Sequence, residues 1–249
     1  MPQTLPKREG PRAFSLSKVT AIVREMGWRA AIAGTLLFGW RQWRSWWWDW
    51  SHHVTTRHRL PLSKLNLAGP SAGHARFYEA SDTKCLPHLL QKLDIPFSES
   101  VFIDFGAGKG KAMFLAAGFP FKRIVGVELS PLLSAIAERN GRTFKSKNLA
   151  CKELEVLCED AAEFVFPNTP LVIYMFNPFG EEIISRVFIS LVESIRRQPR
   201  AVLLIYYNPS HRHVIERDGA FELFLEGTDE WDYRKLRYRV YRARDGSPA

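Results

Sequence analysis

The sequence predicts an α/β fold, a mostly parallel seven-stranded sheet with helices on both faces and an antiparallel hairpin at its end. Apolar runs of strand length alternate with segments of helical spacing between about residues 82 and 207, a pattern that specifies a parallel sheet covered on both faces. After Tyr207 the alternation stops and two strand-like runs follow in succession. A third observation fixes where the sheet does its work. VFIDFGAGKGKAMFLAA, at 101–117, is an apolar run ending in an acid, then glycines at 106, 108 and 110, then a run with helical spacing. Glycine in such a turn reaches backbone angles closed to other residues and lets the chain approach a ligand without a Cβ in the way.

The elements follow in order. Asp82 is expected to cap a helix running to about Leu93, where LPHLLQKL has apolar residues at helical spacing, and Pro96 ends it. Strands are expected at 101–105, 123–128, 154–158, 171–176 and 201–207, with helices at 111–118, 131–140 and 181–197. AFELFL at 220–225 and LRYRVYR at 236–242 read as two strands joined by an acidic turn, which inserts an antiparallel strand into the sheet.

Composition divides the chain. Its 249 residues, 46 % of them hydrophobic, suffice for one full core plus an extension. Residues 1–66 hold eleven Lys or Arg against three acids, a net charge of +8 within a total of +9, and seven of the eight tryptophans. Residues 67–249 are nearly neutral and carry the α/β pattern. The expected organisation is therefore a basic, Trp-rich helical leader at 1–66 and a catalytic domain at 67–249. Cys85, Cys151 and Cys158 are odd in number and lack metal-ligand spacing, which argues against a disulfide framework or a metal site and for a cytoplasmic location.

The leader admits three readings. Its longest uncharged stretch, Ala30 to Trp40, is 11 residues, whereas a spanning helix needs ~20, so no transmembrane segment is expected. No small-residue cleavage site follows it, which also argues against a secretory signal. Tryptophan interleaved with arginine suits an interfacial helix on an anionic membrane at the inner face. The same aromatics also suit packing over the catalytic domain or its cofactor, and basic segments with aromatics also suit nucleic acid.

Three nucleotide readings of the glycine turn separate. A phosphate-binding loop of the Gly-x4-Gly-Lys-Ser/Thr type fails, because the Gly-Lys pairs here precede Gly110 and Ala112. The dinucleotide fingerprint GxGxxG would need glycine where Lys111 stands. Gly106-Ala107-Gly108-Lys109-Gly110 after the strand that ends at Asp104 and Phe105 instead resembles motif I of the class I S-adenosylmethionine-dependent methyltransferases, which have a Rossmann-like fold.

That resemblance implies a set of roles. The turn would hold the methionine part of S-adenosylmethionine. Glu128, twenty residues past Gly108 at the end of the second strand, would accept from the ribose hydroxyls. Asp160 would lie near the adenine amine, with Ala161 as a neighbouring backbone contact. Asn177-Pro178-Phe179-Gly180 resembles motif IV, the (Asp/Asn)-Pro-Pro-(Tyr/Phe) loop of nitrogen methyltransferases, with Phe179 in the third position, and Asn177 would contact the cofactor as well as the acceptor. Each residue also has a plainer role available: a turn cap for Asp104, a solvated strand end for Glu128, a helix N-cap for Asp160 and a turn for Asn177-Pro178. Their order at the ends of consecutive strands favours the ligand reading, since open α/β sheets bind there.

The chemistry implied is transfer of an activated methyl to a nitrogen, without metal or covalent intermediate. Asn177 Oδ1 and the Pro178 carbonyl would accept the amine hydrogens, and Phe179 would wall the substrate amine or the sulfonium. A lysine acceptor must first lose a proton, which a desolvated pocket favours. Phe77-Tyr78-Glu79-Ala80-Ser81 is similar to the Tyr-Gly-Glu-type loop of nucleosomal lysine methyltransferases of this fold. It is also similar to loops of small membrane-associated lysine methyltransferases acting on an ATP-synthase subunit. Those likenesses imply a protein lysine, with Tyr78, Glu79 and Ser81 near the cofactor's methionine end. The alternatives are a small molecule or lipid quinone, a nucleic acid, or a methyltransferase-like scaffold without catalysis. His211-Arg212-His213 reads as a solvated loop or a general base, and Lys109 and Lys111 as neutralising a cofactor carboxylate or facing solvent.

Overall fold

A computed structural model of the chain describes residue 24 and residues 28–57, 81–229 and 236–244. In chain order its elements are α1 (Trp28–Ser51), α2 (Cys85–Lys92), β1 (Val101–Phe105), α3 (Lys111–Ala116), β2 (Arg123–Val127), α4 (Pro131–Thr143), β3 (Leu154–Leu157), β4 (Leu171–Phe176), α5 (Glu181–Arg197), β5 (Val202–Tyr207), α6 (Arg212–Glu216), β6 (Phe221–Asp229) and β7 (Leu236–Ala243). The strands form one sheet in the order β3-β2-β1-β4-β5-β7-β6. β1 to β5 pair in parallel, and β7 enters antiparallel between β5 and β6.

Side-chain alternation gives the sheet two buried faces. Ile103, Phe105, Ile173, Met175, Leu204 and Tyr206 point to one face and pack against the apolar stripe of α5, which includes Ile184, Val187, Phe188 and Leu191. Phe102, Val172, Tyr174, Ile205 and Tyr207 point to the other and pack against Leu86, Leu89 and Leu90 of α2 and Met113 of α3. α5 carries Glu181 and Glu182 in its first turn and Arg196 and Arg197 in its last, charges that complement the helix dipole. Burial on both faces explains why β1 and β4 read as continuous apolar runs.

The structure departs from the sequence reading in three places. α2 starts at Cys85 with no side-chain cap. Asp82 instead accepts from the Lys84 N–H at 2.9 Å and from the Arg44 guanidinium, so its carboxylate serves the turn before the helix and the leader. The segment after Tyr207 contains the short helix α6. β6 runs on to Asp229 through a bulge between Leu223 and Leu225. Residues 226–229 of the expected acidic turn thus belong to β6, while its remainder, 230–235, and the boundary between residues 66 and 67 lie outside the described residues. No helix among the described residues is long and apolar enough to cross a membrane.

Lys111 replaces the third glycine of a dinucleotide fingerprint, yet α3 still lies close to the sheet. The space comes from the strand side: a Cβ on Gly126 of β2 would meet Met113 Sδ at 2.2 Å and Ala107 Cβ at 2.8 Å. Gly126→Ala is therefore expected to destabilise the protein by about 1–3 kcal/mol, the range for overpacking a filled core, read as a lower denaturation midpoint.

Candidate active site

The parallel strands deliver their carboxyl ends to one edge, and the turn after β1 folds across it. The N–H groups of Gly106 and Ala107 donate to the Val127 carbonyl at 2.9 and 3.1 Å, tying the turn to the end of β2. Gly106, Gly108 and Gly110 have φ of 76°, 58° and 85°, the left-handed region that favours glycine. A Cβ on Gly106 would lie 2.5 Å from Pro178 Cβ. The absent side chain thus lets the loop after β4 rest directly on the turn after β1.

Glu128 follows β2 and is 8 % exposed. Its Oε2 accepts from the Gly108 N–H at 2.8 Å and its Oε1 from the Ser130 N–H at 2.9 Å. Each oxygen keeps a further lone pair, so the carboxylate is oriented and still able to accept from a diol. Burial raises its pKa, and the N–H groups of Ser130 and Gly108 oppose that rise.

Asp104 is 3 % exposed and stands beside Gly126 on one side and Tyr174 on the other. Burial, with the Glu128 charge adding, pushes its pKa from 3.8 up to about 8. Its proton is held in the folded chain between those values and released on unfolding. Its stabilising contribution is therefore complete below about pH 4 and is lost as pH rises through about 8. Ser81 Oγ and Tyr174 Oη share a hydrogen bond of 2.9 Å, which brings Ser81 beside the strand pair that holds Asp104. Tyr78 and Glu79 lie outside the described residues.

The remaining predicted residues occupy the same edge in different ways. Asn177 adopts φ 44°, which Asn tolerates better than most residues, and its Oδ1 accepts from the Tyr206 hydroxyl at 3.4 Å. Phe179 is partly buried against the α5 face of the core. Asp160 caps the short turn at Ala161–Glu163, its Oδ1 accepting from the Ala162 N–H at 3.0 Å, and Ala161 is buried. His213 Nε2 lies 3.0 Å from Glu181 and His211 Nδ1 3.8 Å from it, beside the loop that holds Asn177. His211 is linked to that loop, because its N–H donates to Tyr206 Oη at 3.4 Å. A cavity of about 310 Å³ opens where β5 and β6 end against α2, lined by Tyr207, Asp229, Tyr238, His88 and Lys92 among others.

Sequence reasoning missed what holds the turn from outside. Lys109 and Lys111 face neither solvent nor an open ligand space, since both are 2 % exposed. Lys111 Nζ donates to Asp49 Oδ1 at 2.9 Å and lies 3.5 Å from the centre of the Trp48 ring. Asp49 also accepts from Thr56 N–H and Oγ1 at 2.7 Å each and from the Arg57 N–H at 3.1 Å. Asn140 of α4 completes the clasp, accepting from the Thr55 N–H at 3.0 Å and donating to the Lys109 carbonyl at 3.0 Å. Burial lowers the Lys111 pKa, and Asp49 opposes that shift. The available signal was Asp49 itself, the single acid in a run of tryptophan and arginine, because a lone acid among aromatics is buried only with a partner.

No family model matches the chain, and no curated protein matches it. Solved structures do. A protein from Pyrococcus horikoshii proposed to be an RNA methyltransferase superposes with a TM-score of 0.50 at 22 % identity, covering 74 % of this chain and 94 % of that one. The fold is that of the class I methyltransferases.

Other proteins of class I methyltransferase fold align less closely. A ribosomal protein L11 methylase from Lactobacillus delbrueckii gives a TM-score of 0.45 at 14 % identity, over 64 % of this chain and 77 % of that one. Magnesium protoporphyrin IX methyltransferase from Synechocystis, with S-adenosylmethionine bound, gives 0.46 at 13 % identity, over 64 % and 76 %. The glycine turn, the oriented Glu128 and the buried acid at the end of β1 sit together at this edge, with hydrogen-bond acceptors suited to a ligand that carries a diol and an ammonium. These residues fit S-adenosylmethionine. Among the described residues no group of His, Cys, Asp and Glu is arranged to hold a metal ion.

Asp49→Asn would leave the Lys111 ammonium buried without its counter-charge. The expected loss is about 3–5 kcal/mol of stability by chemical denaturation, partly restored in Asp49→Asn/Lys111→Met, where no buried charge remains.

Proposed function

We propose that this chain is an S-adenosylmethionine-dependent methyltransferase whose acceptor is a nitrogen nucleophile such as a protein lysine. The observation that carries the cofactor reading is Glu128, oriented at the end of β2 by Gly108 and Ser130 with both oxygens able to accept further bonds. When bound, the cofactor supplies a methyl carbon already activated by its sulfonium. The protein's part is to bind, align and exclude water. On this reading Gly106, Ala107, Gly108 and Gly110 line the methionine part with Asp104, Tyr78 and Ser81, Glu128 takes the ribose, and Asp160 and Ala161 flank the adenine.

Support for a nitrogen acceptor comes from the loop after β4. Asn177 Oδ1 is held by the Tyr206 hydroxyl and keeps a lone pair, so it and the Pro178 carbonyl form a pair of acceptors for amine hydrogens. Phe179 closes the loop from the core side. A protein acceptor suits the likeness around Tyr78 to Ser81. The runner-up is a small molecule or lipid, supported by the cavity of about 310 Å³ beside Tyr207, which is large enough for one. A nucleic-acid acceptor has less support, because residues 67–249, which carry the strand-end residues, are nearly neutral overall. On the same reading residues 1–66 are an attachment segment and 67–249 the enzyme, in the reducing cytoplasm that three free cysteines suit.

Calorimetric titration with S-adenosylmethionine and, separately, NADH tests the cofactor class. Micromolar binding of the first alone is expected, with Glu128→Ala weakening it by about 1–3 kcal/mol through the lost charge-assisted bonds. Binding of neither would favour the scaffold. The pH dependence has a defined sign. A ligand ammonium beside Asp104 favours the ionised carboxyl, so affinity should rise with pH from about 6 towards 8 with release of a proton, and Asp104→Asn should flatten that profile. For the acceptor, Asn177→Ala is expected to lower kcat by about tenfold or more, with a smaller loss of cofactor affinity because Asn177 also borders the cofactor. An unchanged kcat would remove Asn177 from its role.

A further inference from the structure

Seven large apolar side chains of α1, Trp28, Ile32, Leu36, Trp40, Trp43, Trp47 and Trp50, are between 43 and 68 % exposed. At about 100° per residue they fall within about 120° of arc, so the helix turns a full apolar stripe outward instead of inward. The indoles make that stripe continuous: Trp40 stacks on Trp43 at 5.2 Å, Trp43 on Trp47 at 5.9 Å, and Trp47 lies against Trp50 at 5.0 Å. Buried Asp49 and half-buried Trp48 leave the other side of the helix for the protein. Patches of this size and continuity mark interaction surfaces.

Charge selects the occupant. The one acid of α1 is Asp49, and Lys111 holds it, so no acid opposes an anionic surface along the helix. Among the described side chains of α1, Arg29 is the exposed charged residue, its guanidinium 5.3 Å from the Trp28 ring centre. The leader as a whole carries +8. An indole stripe with Arg29 beside it, in a leader of net charge +8, fits the boundary of an anionic bilayer, where indoles sit at headgroup level and Arg meets acidic lipid. Nucleic acid would need the cations within the contact face, and a second copy would bring two leaders of +8 together. α1 is 24 residues long, yet not apolar enough to cross a membrane, so it would lie along the surface.

We infer that the tryptophan stripe of α1 seats this protein on an anionic lipid bilayer. The docked end matters most. Trp47 and Trp50 flank Trp48 and Asp49, which hold Lys111 at the end of the glycine turn, so seating the stripe brings the candidate active site to the membrane surface. This deepens the attachment reading of the leader and does not depend on methyl transfer.

The test is co-sedimentation of the full chain with phosphatidylcholine vesicles containing about 30 % phosphatidylserine, and with phosphatidylcholine alone. Binding to the anionic vesicles, with a blue shift of tryptophan emission, is expected. The double variant Trp43→Ser/Trp47→Ser should bind about tenfold or more weakly, with an unchanged denaturation midpoint, because both indoles are exposed. Equal vesicle binding by variant and parent would overturn the inference. So would no binding by the parent, a concentration-dependent dimer that the variant abolishes, or preference for single-stranded RNA over vesicles. Cofactor titration on the same samples reads the methyltransferase proposal separately.

Discussion

Where three strand ends must meet one ligand, the turn between β1 and α3 has no room for side chains. Gly106 accepts Pro178 against its α-carbon, Gly126 accepts Met113 and Ala107, and Gly110 accepts Phe114, whose ring would stand 2.9 Å from an added Cβ. The loop after β4, the helix after the turn and the strand beside it therefore all converge on backbone. The convergence lets Gly108 reach Glu128, and the oriented carboxylate follows from it. Enlarging any of these residues displaces the others, because packed interiors do not deform locally.

The same edge concentrates charge away from water. Asp104 and Glu128 are both buried, burial raises the pKa of each, and the Glu128 charge raises that of Asp104 further. Such a pair is expensive without a cation nearby, and it suits a ligand that brings an ammonium and a diol. Behind the turn the balance is reversed. Lys111 is a buried cation, neutralised by Asp49 from a helix 62 residues earlier in the chain. α1 is thus part of the wall of the candidate site on its inner side, while its outer side is apolar and exposed. One helix joins the two properties, so the exposed tryptophan stripe and the active-site edge are geometrically linked.

Much of this was legible in the sequence, and the legible parts share a cause. Strand runs buried on both faces, amphipathic helices such as α5, and glycines that need positive φ are determined by residues close together in the chain, so their pattern can be read directly. The acids at the end of β1 and after β2 and β3, and the Asn177 loop after β4, were visible for the same reason. The fold class and the membership of that edge follow from local spacing plus the rule that open sheets bind ligands at their carboxyl ends.

What only the tertiary structure decided are the pairings between distant residues. Nothing local tells Asp82 to serve Arg44 instead of a helix cap, Lys111 to point at Asp49 instead of solvent, or Tyr206 to hold Asn177. The leader's tryptophans show the division plainly. Their composition by itself marked an aromatic, basic segment and left packing and interfacial roles open, because both use the same residues. The structure divides them by helical phase: Trp48 turns in to Lys111 and Phe144, and Trp40, Trp43, Trp47 and Trp50 turn out. Sequence determines which residues share a helix face. Which face meets the protein depends on contacts between distant residues, the Lys111–Asp49 and Arg44–Asp82 pairs and Trp48 against Phe144, whose long-range complementarity no local pattern encodes.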